Sequence, residues 1–342
     1  MIASRILRRL GGGAAAVVVL AFVLLLPQYG TIGDLYFWET VAVAILFATS
    51  TNLLFGQGGI PSFGQAAFYA VGAYTVALGV QHSWPVLLAL VTGSLLAGLA
   101  ATLAALLAWR ITGLALSMLT LAIAQMLYTV AVKTDSLGSY NGISGFAVSS
   151  IAGIDVTDPG MLWYVVAAII ALGCAGYWVI SRSAFGLALR CIRENPARTL
   201  FLGVNVRGYR VIAFALAGCG AGLAGGLLAV SSQVVTPETA YWTQSALPVI
   251  MLVLGGMSYF LGPAVGATLL TVLLHWLTDV THAYVLYVGL VLYVILMFLP
   301  GGLLSLPRAV RDLLGRGAGA RTTEGGDAVA EVSSEFAEEV AR

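Results

Sequence analysis

The residues that could do chemistry are few, and the largest group of basic ones lies in a single stretch. Residues 181–210, SRSAFGLALRCIRENPARTLFLGVNVRGYR, contain six arginines and one glutamate. Arg190 and Arg193 share one face if FGLALRCIRE is helical, because they are three residues apart. Such a cluster can rest on anionic lipid or form a docking surface for another protein. The chemistry it indicates is recognition rather than catalysis.

A second group of polar residues interrupts an apolar run. Residues 56–74, GQGGIPSFGQAAFYAVGAY, combine helix-breaking glycines and a proline with uncharged amides and a hydroxyl. Broken helices in a bilayer are buried or line a cavity, and transporters often bind solutes there. The alternative is a tight turn whose glycines let two spans pack closely. The candidate translocation residues are Gln57, Gly58, Gly59, Ser62, Gly64, Gln65, Gln125 and Asn141.

Several reaction classes are disfavoured by what the chain lacks. A phosphate-binding GxxxxGK[ST] loop needs a lysine, and the single lysine, Lys133, lies in VKTDS. His82, His275 and His282 are scattered near expected span ends, and no cluster has metal-ligand spacing. We therefore expect no catalytic residue, no metal site and no cofactor bound by this chain.

Acidic side chains inside the expected spans are rare, whereas ion-driven transporters usually carry them as relays. Glu39, His275 and Asp279 lie near span ends, and one of them could couple transport to an ion gradient. An ion-coupled secondary transporter therefore stays open as an alternative. A passive channel for urea or amides is another. An energy source outside the chain explains the scarcity of relays better.

Composition determines which elements must position these residues. Of 342 residues, 60% are hydrophobic and 9% are charged, against about 25% charged in soluble domains. Roughly 20 apolar residues cross a bilayer core, so we predict an all-α, polytopic transmembrane helical bundle of about ten spans. Their expected limits are 14–30, 37–56, 62–81, 85–109, 112–132, 161–180, 209–231, 243–260, 263–279 and 283–300.

The basic residues predict the orientation, because arginines near span ends stay in the cytoplasm. Arg5, Arg8 and Arg9 place the N-terminus inside, and ten spans then place Arg110 and the loop 181–210 inside as well. Both termini are expected to be cytoplasmic. The predicted parts are a transmembrane domain (1–307) with an external loop (133–160) and a cytoplasmic loop (181–210), followed by a disordered cytoplasmic tail (308–342).

The cytoplasmic loop contains the local signals of a short rigid helix. Asn195 is a favourable N-cap residue, and Pro196 suits the first helical position. Gly203 suits the left-handed residue that closes a helix. These signals predict a helix from about Pro196 to Leu202.

The same loop resembles the segment SRxGRALRAIRENExAAxxLGINVxxYK of permeases of branched-chain amino-acid ABC importers, in particular the M-type subunit. The resemblance extends from about Asn52 to Leu304. Two departures are Pro196 and Arg198, which replace an acidic residue and an alanine, and Gln65 stands where the family usually has histidine. Four other segments are similar to family motifs in the same order: GQGGIPSFGQAAFYAVGAYTVAL, YNGISGF, MLVLGGMSYFLGPAVGATLL and FLPGGLL.

The resemblance implies a function. The loop would hold a coupling helix for a cytoplasmic ATPase, carried by Arg190, Arg193, Glu194, Asn195, Pro196 and Gly203. The chain would import branched-chain or related amino acids across a bacterial plasma (inner) membrane as a multi-pass subunit. Its partners would be a homologous second permease, two ATPase subunits that bind ATP–Mg, an extracytoplasmic solute-binding protein and membrane lipid, with no nucleic acid. A urea or amide permease of the same family is a further alternative.

Overall fold

The structure is a computed structural model that describes residues 23–148, 150–151, 153–280, 284–298 and 301–305. The chain divides into two compact units, Met1–Leu303 and Leu304–Arg342. The first unit is a helical bundle, as predicted. The tail predicted to be disordered, 308–342, lies outside the described residues, as does most of the predicted first span.

Helices make up most of the described chain, and residues 23–29 are helical as well. We number the helices whose two ends are described as α1 (Ile32–Asn52), α2 (Gln65–Gln81), α3 (Val86–Leu107), α4 (Leu114–Lys133), α5 (Pro159–Arg182), α6 (Ala184–Glu194), α7 (Pro196–Phe201), α8 (Val206–Ser232), α9 (Trp242–Gly255), α10 (Gly262–Val280) and α11 (Tyr284–Phe298).

Within these ranges, five helices are long and apolar enough to cross a membrane. They are Ile32–Gln57, Val86–Leu107, Leu114–Lys133, Pro159–Arg182 and Val206–Ser232. Trp242–Gly255 and Gly262–Thr278 are apolar but shorter. The polytopic all-α class is therefore confirmed, whereas the count of ten spans and the cytoplasmic placement of both termini stay predictions.

One predicted span is wrong at its end. The sequence predicts a span over 243–260, but α9 stops at Gly255 and the chain turns through residues 256–261. Gly256 has φ +103°, a conformation that side chains rarely adopt, and it follows α9 directly. A Cβ on Gly255 would overlap the backbone of Gly262. The backbone conformation of Gly256 therefore ends the helix. The absence of a side chain at Gly255 lets α9 and α10 approach closely.

The centre of the bundle is α8, which packs against α1, α2 and α3. Small residues make this packing possible: a Cβ added to Gly93 would lie 3.0 Å from the carbonyl oxygen of Gly72, and one added to Gly222 would lie 3.1 Å from that of Gly93. Apolar surface gives little driving force between helices inside a bilayer, so close van der Waals contact between small residues stabilises such crossings.

One end of the bundle carries the predicted external loop. Its described residues lie mainly in turns, as predicted, and include three two-residue strands, β1 (Ile143–Ser144), β2 (Ser150–Ile151) and β3 (Ile154–Asp155). The strand β2 pairs antiparallel with β3, and β1 pairs antiparallel with β4 (Val234–Val235), which follows α8. The backbone N–H and the hydroxyl of Thr157 donate to the Asp155 carboxylate at 3.0 and 2.7 Å, which lowers the pKa of Asp155.

The opposite end, which we call the basic end, gathers arginines from distant parts of the chain. The Trp109 ring, just after α3, lies 4.4 Å from the Arg110 guanidinium carbon and 4.6 Å from that of Arg207 in α8. The cation–π contact of Arg207 joins the end of α3 to α8. A cavity of about 940 Å³ beside them is also lined by Pro196 and Leu200 of α7. The residue 110 region and the loop 181–210 thus share one end of the bundle.

Candidate functional site

The glycine motif forms a break between α1 and α2. The helix α1 continues into one π-helical turn, Leu53–Gln57, and α2 starts only at Gln65. Between them, Gly59 has φ +61°, and Pro61 has no N–H to donate. Most of this segment is buried. The chain therefore has an irregular backbone within the bundle, which a bilayer tolerates only when other groups satisfy it.

Side chains from two other helices satisfy this backbone. The Ser245 hydroxyl of α9 accepts a 2.9 Å hydrogen bond from the N–H of Ala66, in the first turn of α2. The Thr120 hydroxyl of α4 accepts a 3.0 Å bond from the N–H of Phe63. The first N–H groups of a helix have no partner within it, so Ser245 acts as an N-cap supplied by a distant helix.

The predicted translocation residues of the motif lie together around this break. Ser62 and Gln65 are completely buried, and the Ser62 hydroxyl accepts a weak 3.4 Å bond from the Gly64 N–H. Both amide atoms of Gln65 lack a hydrogen-bond partner. A Cβ on Gly64 would lie 3.1 Å from the Thr120 carbonyl oxygen, so this glycine lets α4 approach.

The other two predicted pathway residues lie elsewhere. Gln125 is half-buried on α4, five residues beyond Thr120, and its side-chain oxygen has no hydrogen-bond partner. Asn141 is exposed in the turn that precedes β1, at the end of the bundle away from the arginines. The structure therefore does not bring Asn141 to the broken segment.

The predicted short helix is present as α7. The Asn195 side chain accepts a 2.9 Å bond from the N–H of Arg198, and Pro196 occupies the first turn. Gly203 has φ +81° and donates its N–H to the Leu200 carbonyl at 2.9 Å. A Cβ at Gly203 would meet nothing within 4 Å, so its backbone conformation, rather than space, requires glycine.

The helix α6 joins this loop directly to the broken segment. Arg193 donates from its Nη1 atom to the backbone carbonyl of Gly56. A Cβ on Gly59 would lie 2.6 Å from the Arg193 Cγ atom. The glycine therefore makes room for the arginine side chain, and the two groups of residues that the sequence singled out are in contact.

A cavity of about 420 Å³ lies beside this contact. It brings together four parts of the chain: the end of α1 with its π-turn, the end of α5, the helix α6, and the turn between α9 and α10. We call it the basic-end cavity. Its lining comprises Asn52, Gly56, Gln57, Ser181, Arg190, Arg193, Glu194, Met257, Ser258, Tyr259 and Phe260.

Two sets of residues at the site were not predicted from the sequence. One is the hydroxyls of Thr120 and Ser245, whose sequence neighbours give no sign of their role. The other is the tip of α7, where the exposed fractions of Leu200, Phe201 and Leu202 are 61%, 91% and 75%. Three consecutive apolar residues in an arginine-rich loop could have signalled a contact surface.

Glu39, one of the residues considered for ion coupling, is buried. The sequence places Glu39 near a span end, but its side chain is 3% exposed and lies beside Ser231 of α8. His275 is exposed and stacks on Phe37 with 4.4 Å between ring centroids. The side chain of Asp279 lies outside the described residues. In the part of the chain that the structure describes, no three His, Cys, Asp or Glu side chains are grouped to hold a metal ion.

Comparisons with known proteins agree with this architecture. The family described as "Branched-chain amino acid transport system / permease component" matches residues 35–300. The high-affinity branched-chain amino acid transport system permease protein LivM of Escherichia coli is 27% identical over 296 residues, covering 78% of this chain and 68% of LivM.

Two further relatives extend the comparison. The probable branched-chain amino acid transport permease protein LivH of Methanocaldococcus jannaschii is 29% identical, covering 65% of this chain and 73% of that protein. The guanosine ABC transporter permease protein NupQ of Bacillus subtilis is 25% identical, covering 75% and 88%. No solved structure matches.

The family match covers most of the helices, the broken segment and both arginine-bearing loops. Members of such families are transport subunits rather than enzymes, and they assemble with other ABC transporter subunits. This chain is accordingly a multi-pass membrane protein and an ABC transporter permease. It belongs to the branched-chain amino acid transport system permease family.

Proposed function

We propose that this chain is a permease subunit of an importer that moves a branched-chain or related amino acid into the cytoplasm of a bacterium. It works by alternating access in the inner membrane. Two cytoplasmic ATPase subunits bind ATP–Mg, and their closure moves the loop 181–210. A homologous second permease completes the pathway, an extracytoplasmic binding protein delivers the solute, and this chain itself catalyses no covalent step.

The observation that carries this proposal is the contact of Arg193 with Gly56 and Gly59. Arg193 belongs to the loop that would receive the ATPase movement, and the two glycines belong to the broken segment that would line the pathway. One side chain therefore connects the two elements with no intermediate. A displacement of α6 would act directly on the break between α1 and α2.

The polar groups around the break favour a small solute without net charge. Gln65 is buried, and both polar atoms of its side-chain amide lack a hydrogen-bond partner. Ser62 and Thr120 carry uncharged hydroxyls. Two of the relatives named above are branched-chain amino acid permeases, whereas NupQ is named for guanosine. A zwitterion of moderate size fits such a pathway, because its two charges can be met by neutral dipoles and its net charge is zero.

The docking surface for the ATPase is the apolar tip of α7. Asn195 and Gly203 fix the two ends of this helix, so Phe201 is held outward with 91% of its surface exposed. An aromatic anchor that is fixed in place loses little entropy when a partner's pocket closes around it. Leu200 and Leu202 extend the same apolar surface.

The test is the change Phe201→Ser in the assembled transporter. Loss of a buried aromatic anchor costs about 2 kcal/mol, so the ATPase subunits should bind roughly 30-fold more weakly to the permease. The measurement is titration of purified ATPase onto permease in nanodiscs. Tyr140→Ser is the matched control, since Tyr140 is 79% exposed at the other end of the bundle. Equal affinity for the two variants would contradict the docking role of α7.

Transport itself is tested in proteoliposomes that contain both permeases, the ATPase and the binding protein. Uptake of leucine, isoleucine or valine should require internal ATP. Uptake that depends instead on a proton or sodium gradient, with ATP having no effect, would overturn the proposed function.

A further inference from the structure

Three arginines at the basic end line one cavity. Arg110 follows α3, while Arg207 and Arg210 lie three residues apart, and so on one face, at the start of α8. Together with Trp109 they line the cavity of about 940 Å³, which we call the Trp109 cavity. Within the described residues, its lining contains no carboxylate. The cavity therefore concentrates positive charge that no acidic side chain of its wall offsets.

The guanidinium groups of this cavity are positioned, but their N–H donors are unused. Those of Arg110 and Arg207 lie within 4.6 Å of the Trp109 ring centroid, and neither has a hydrogen-bond acceptor among the described residues. Arg210 is half-buried, and its Nε–H also lacks an acceptor. A half-buried cation has lost part of its hydration, and an anion in the cavity would offset that loss by Coulomb attraction. The planar fork of a guanidinium matches the oxygens of a phosphate group.

The first turn of α8 adds positive potential from its backbone. Asn205, Val206 and Arg207, where this helix begins, all line the Trp109 cavity. The N-terminal end of a helix carries about half a positive charge, because its first N–H groups have no partner within the helix. This potential acts on the same cavity as the arginine side chains, so both sources favour an anion there.

The surroundings of the cavity favour a lipid over a soluble anion. Trp109 and Arg110 directly follow Val86–Leu107, which is long and apolar enough to cross a membrane. Tryptophan and arginine at the end of a span lie at the depth of the lipid headgroups. In the last turns of the same helix, Leu103 and Leu107 have exposed fractions of 55% and 74%. An acyl chain would cover these leucines, whereas a free phosphate would not.

We propose that the Trp109 cavity binds the phosphate group of an anionic phospholipid, whose acyl chains lie against the end of α3. Basic pockets between membrane helices bind anionic headgroups in this way. A zwitterionic lipid binds less well, because its ammonium group is repelled by the three arginines. The proposal goes beyond the proposed function, since it depends neither on the solute nor on the direction of transport.

The lipid site leaves the tip of α7 free. Pro196, Ala197 and Leu200 line the Trp109 cavity, whereas Phe201, at 91% exposure, does not. A lipid in the cavity would therefore contact one side of α7 and leave Phe201 open to a protein partner. Because it would also contact α3 and α8, the lipid would support α7 in its position against the bundle.

The experiment measures equilibrium binding of radiolabelled phosphatidylglycerol to the complete permease–ATPase complex in detergent micelles. Phosphatidylcholine with the same acyl chains and soluble glycerol phosphate compete against it. We expect phosphatidylcholine to compete roughly tenfold more weakly or worse, because it has no net charge. Glycerol phosphate should compete roughly a hundredfold more weakly or worse, because it buries no acyl chain.

Variants locate the site. Arg110→Gln and Arg207→Gln should each weaken binding of phosphatidylglycerol by roughly fivefold, and the double change by roughly thirtyfold. Both side chains are exposed, so their replacement leaves the packing of the bundle intact. Arg182→Gln is the matched control: its guanidinium carbon lies 4.3 Å from the Trp178 ring centroid at the end of α5, and it does not line the cavity. The control should bind the lipid as the unchanged complex does.

Every other outcome overturns the proposal. Unchanged lipid binding in the double variant shows that these arginines hold no lipid. An equal loss in Arg182→Gln shows a diffuse attraction to the whole basic end rather than a site. Glycerol phosphate that competes as well as the lipid identifies a site for soluble anions. Loss of the ATPase subunits from the double variant, with lipid binding unchanged, assigns the arginines to an acidic protein surface.

Discussion

At the scale of single residues, the broken segment depends on hydroxyls that come from elsewhere. Ser245 and Thr120 accept from N–H groups that α2 and its approach leave free, and both hydroxyls are buried. In a bilayer, water does not replace a lost acceptor. These two side chains therefore determine whether an interrupted helix is tolerated at this position.

The residue-scale prediction is that Ser245→Ala destabilises the protein. The Ala66 N–H would lose its acceptor in a buried position, which costs about 1–3 kcal/mol. The measurement is the thermal unfolding midpoint in detergent, which should fall. Ser144→Ala, at an exposed position of β1, should leave the midpoint unchanged. An equal midpoint for the two variants would show that the Ser245 bond has no role in stability.

At the scale of elements, α6 is in direct contact with the break between α1 and α2 through Arg193. Gly59 combines a positive φ with close contact to Arg193, so no other residue type suits both conditions. The turn after α9 closes the same region, because a Cβ on Gly56 would lie 2.6 Å from the carbonyl oxygen of Met257. The two glycine-rich motifs, residues 56–74 and 255–267, thus meet at the basic end.

The element-scale prediction concerns Gly59→Ala. The new methyl group would strain the backbone and push Arg193 away from Gly56, so ATP hydrolysis should lose its link to transport. We expect the ratio of solute transported to ATP hydrolysed to fall several-fold in proteoliposomes.

Two controls separate strain from the lost contact. Gly153→Ala also places a side chain at a positive φ, +82°, but with open space around it, and it should keep the ratio. The double change Gly59→Ala with Arg193→Ala removes the clash and the link together, so it should stay uncoupled. Full coupling in the double variant would show that the arginine contact is dispensable.

At the scale of the whole molecule, charge is divided between the two ends of the bundle. The basic end holds arginines from the residue 110 region, from α6 and from α8. The other end holds the strand pairs and Asp155. Because arginines near span ends favour the cytoplasm, this division predicts that the basic end faces inward.

The whole-molecule prediction is tested by labelling single cysteines with a membrane-impermeant maleimide. Cys174, Cys191 and Cys219 are first replaced by serine or alanine. In intact cells Tyr140→Cys should react, whereas Arg198→Cys should react only after the membrane is opened, since both positions are exposed but at opposite ends. The reverse pattern would invert the orientation and, with it, the direction of transport.

The sequence by itself determined what depends on local or summed properties. The all-α membrane class follows from the apolar content, because the length of an apolar run and the bilayer thickness set each span. The helix α7 follows from Asn195, Pro196 and Gly203, because caps act within a few residues. The break in residues 56–74 follows from its glycines and proline in the same way.

Only the tertiary structure decided which groups meet. Ser245 and Ala66 are 179 residues apart, and Arg193 and Gly56 are 137 apart. No periodicity or cap signal reports contacts over such separations, because they depend on how complete helices pack against one another. Gln65 could be chosen from the sequence, because its glycine-rich neighbours mark the break. Only the folded bundle shows that Asn52, Gln57 and Arg190 line one cavity. It also shows that Asn141 lies away from that cavity.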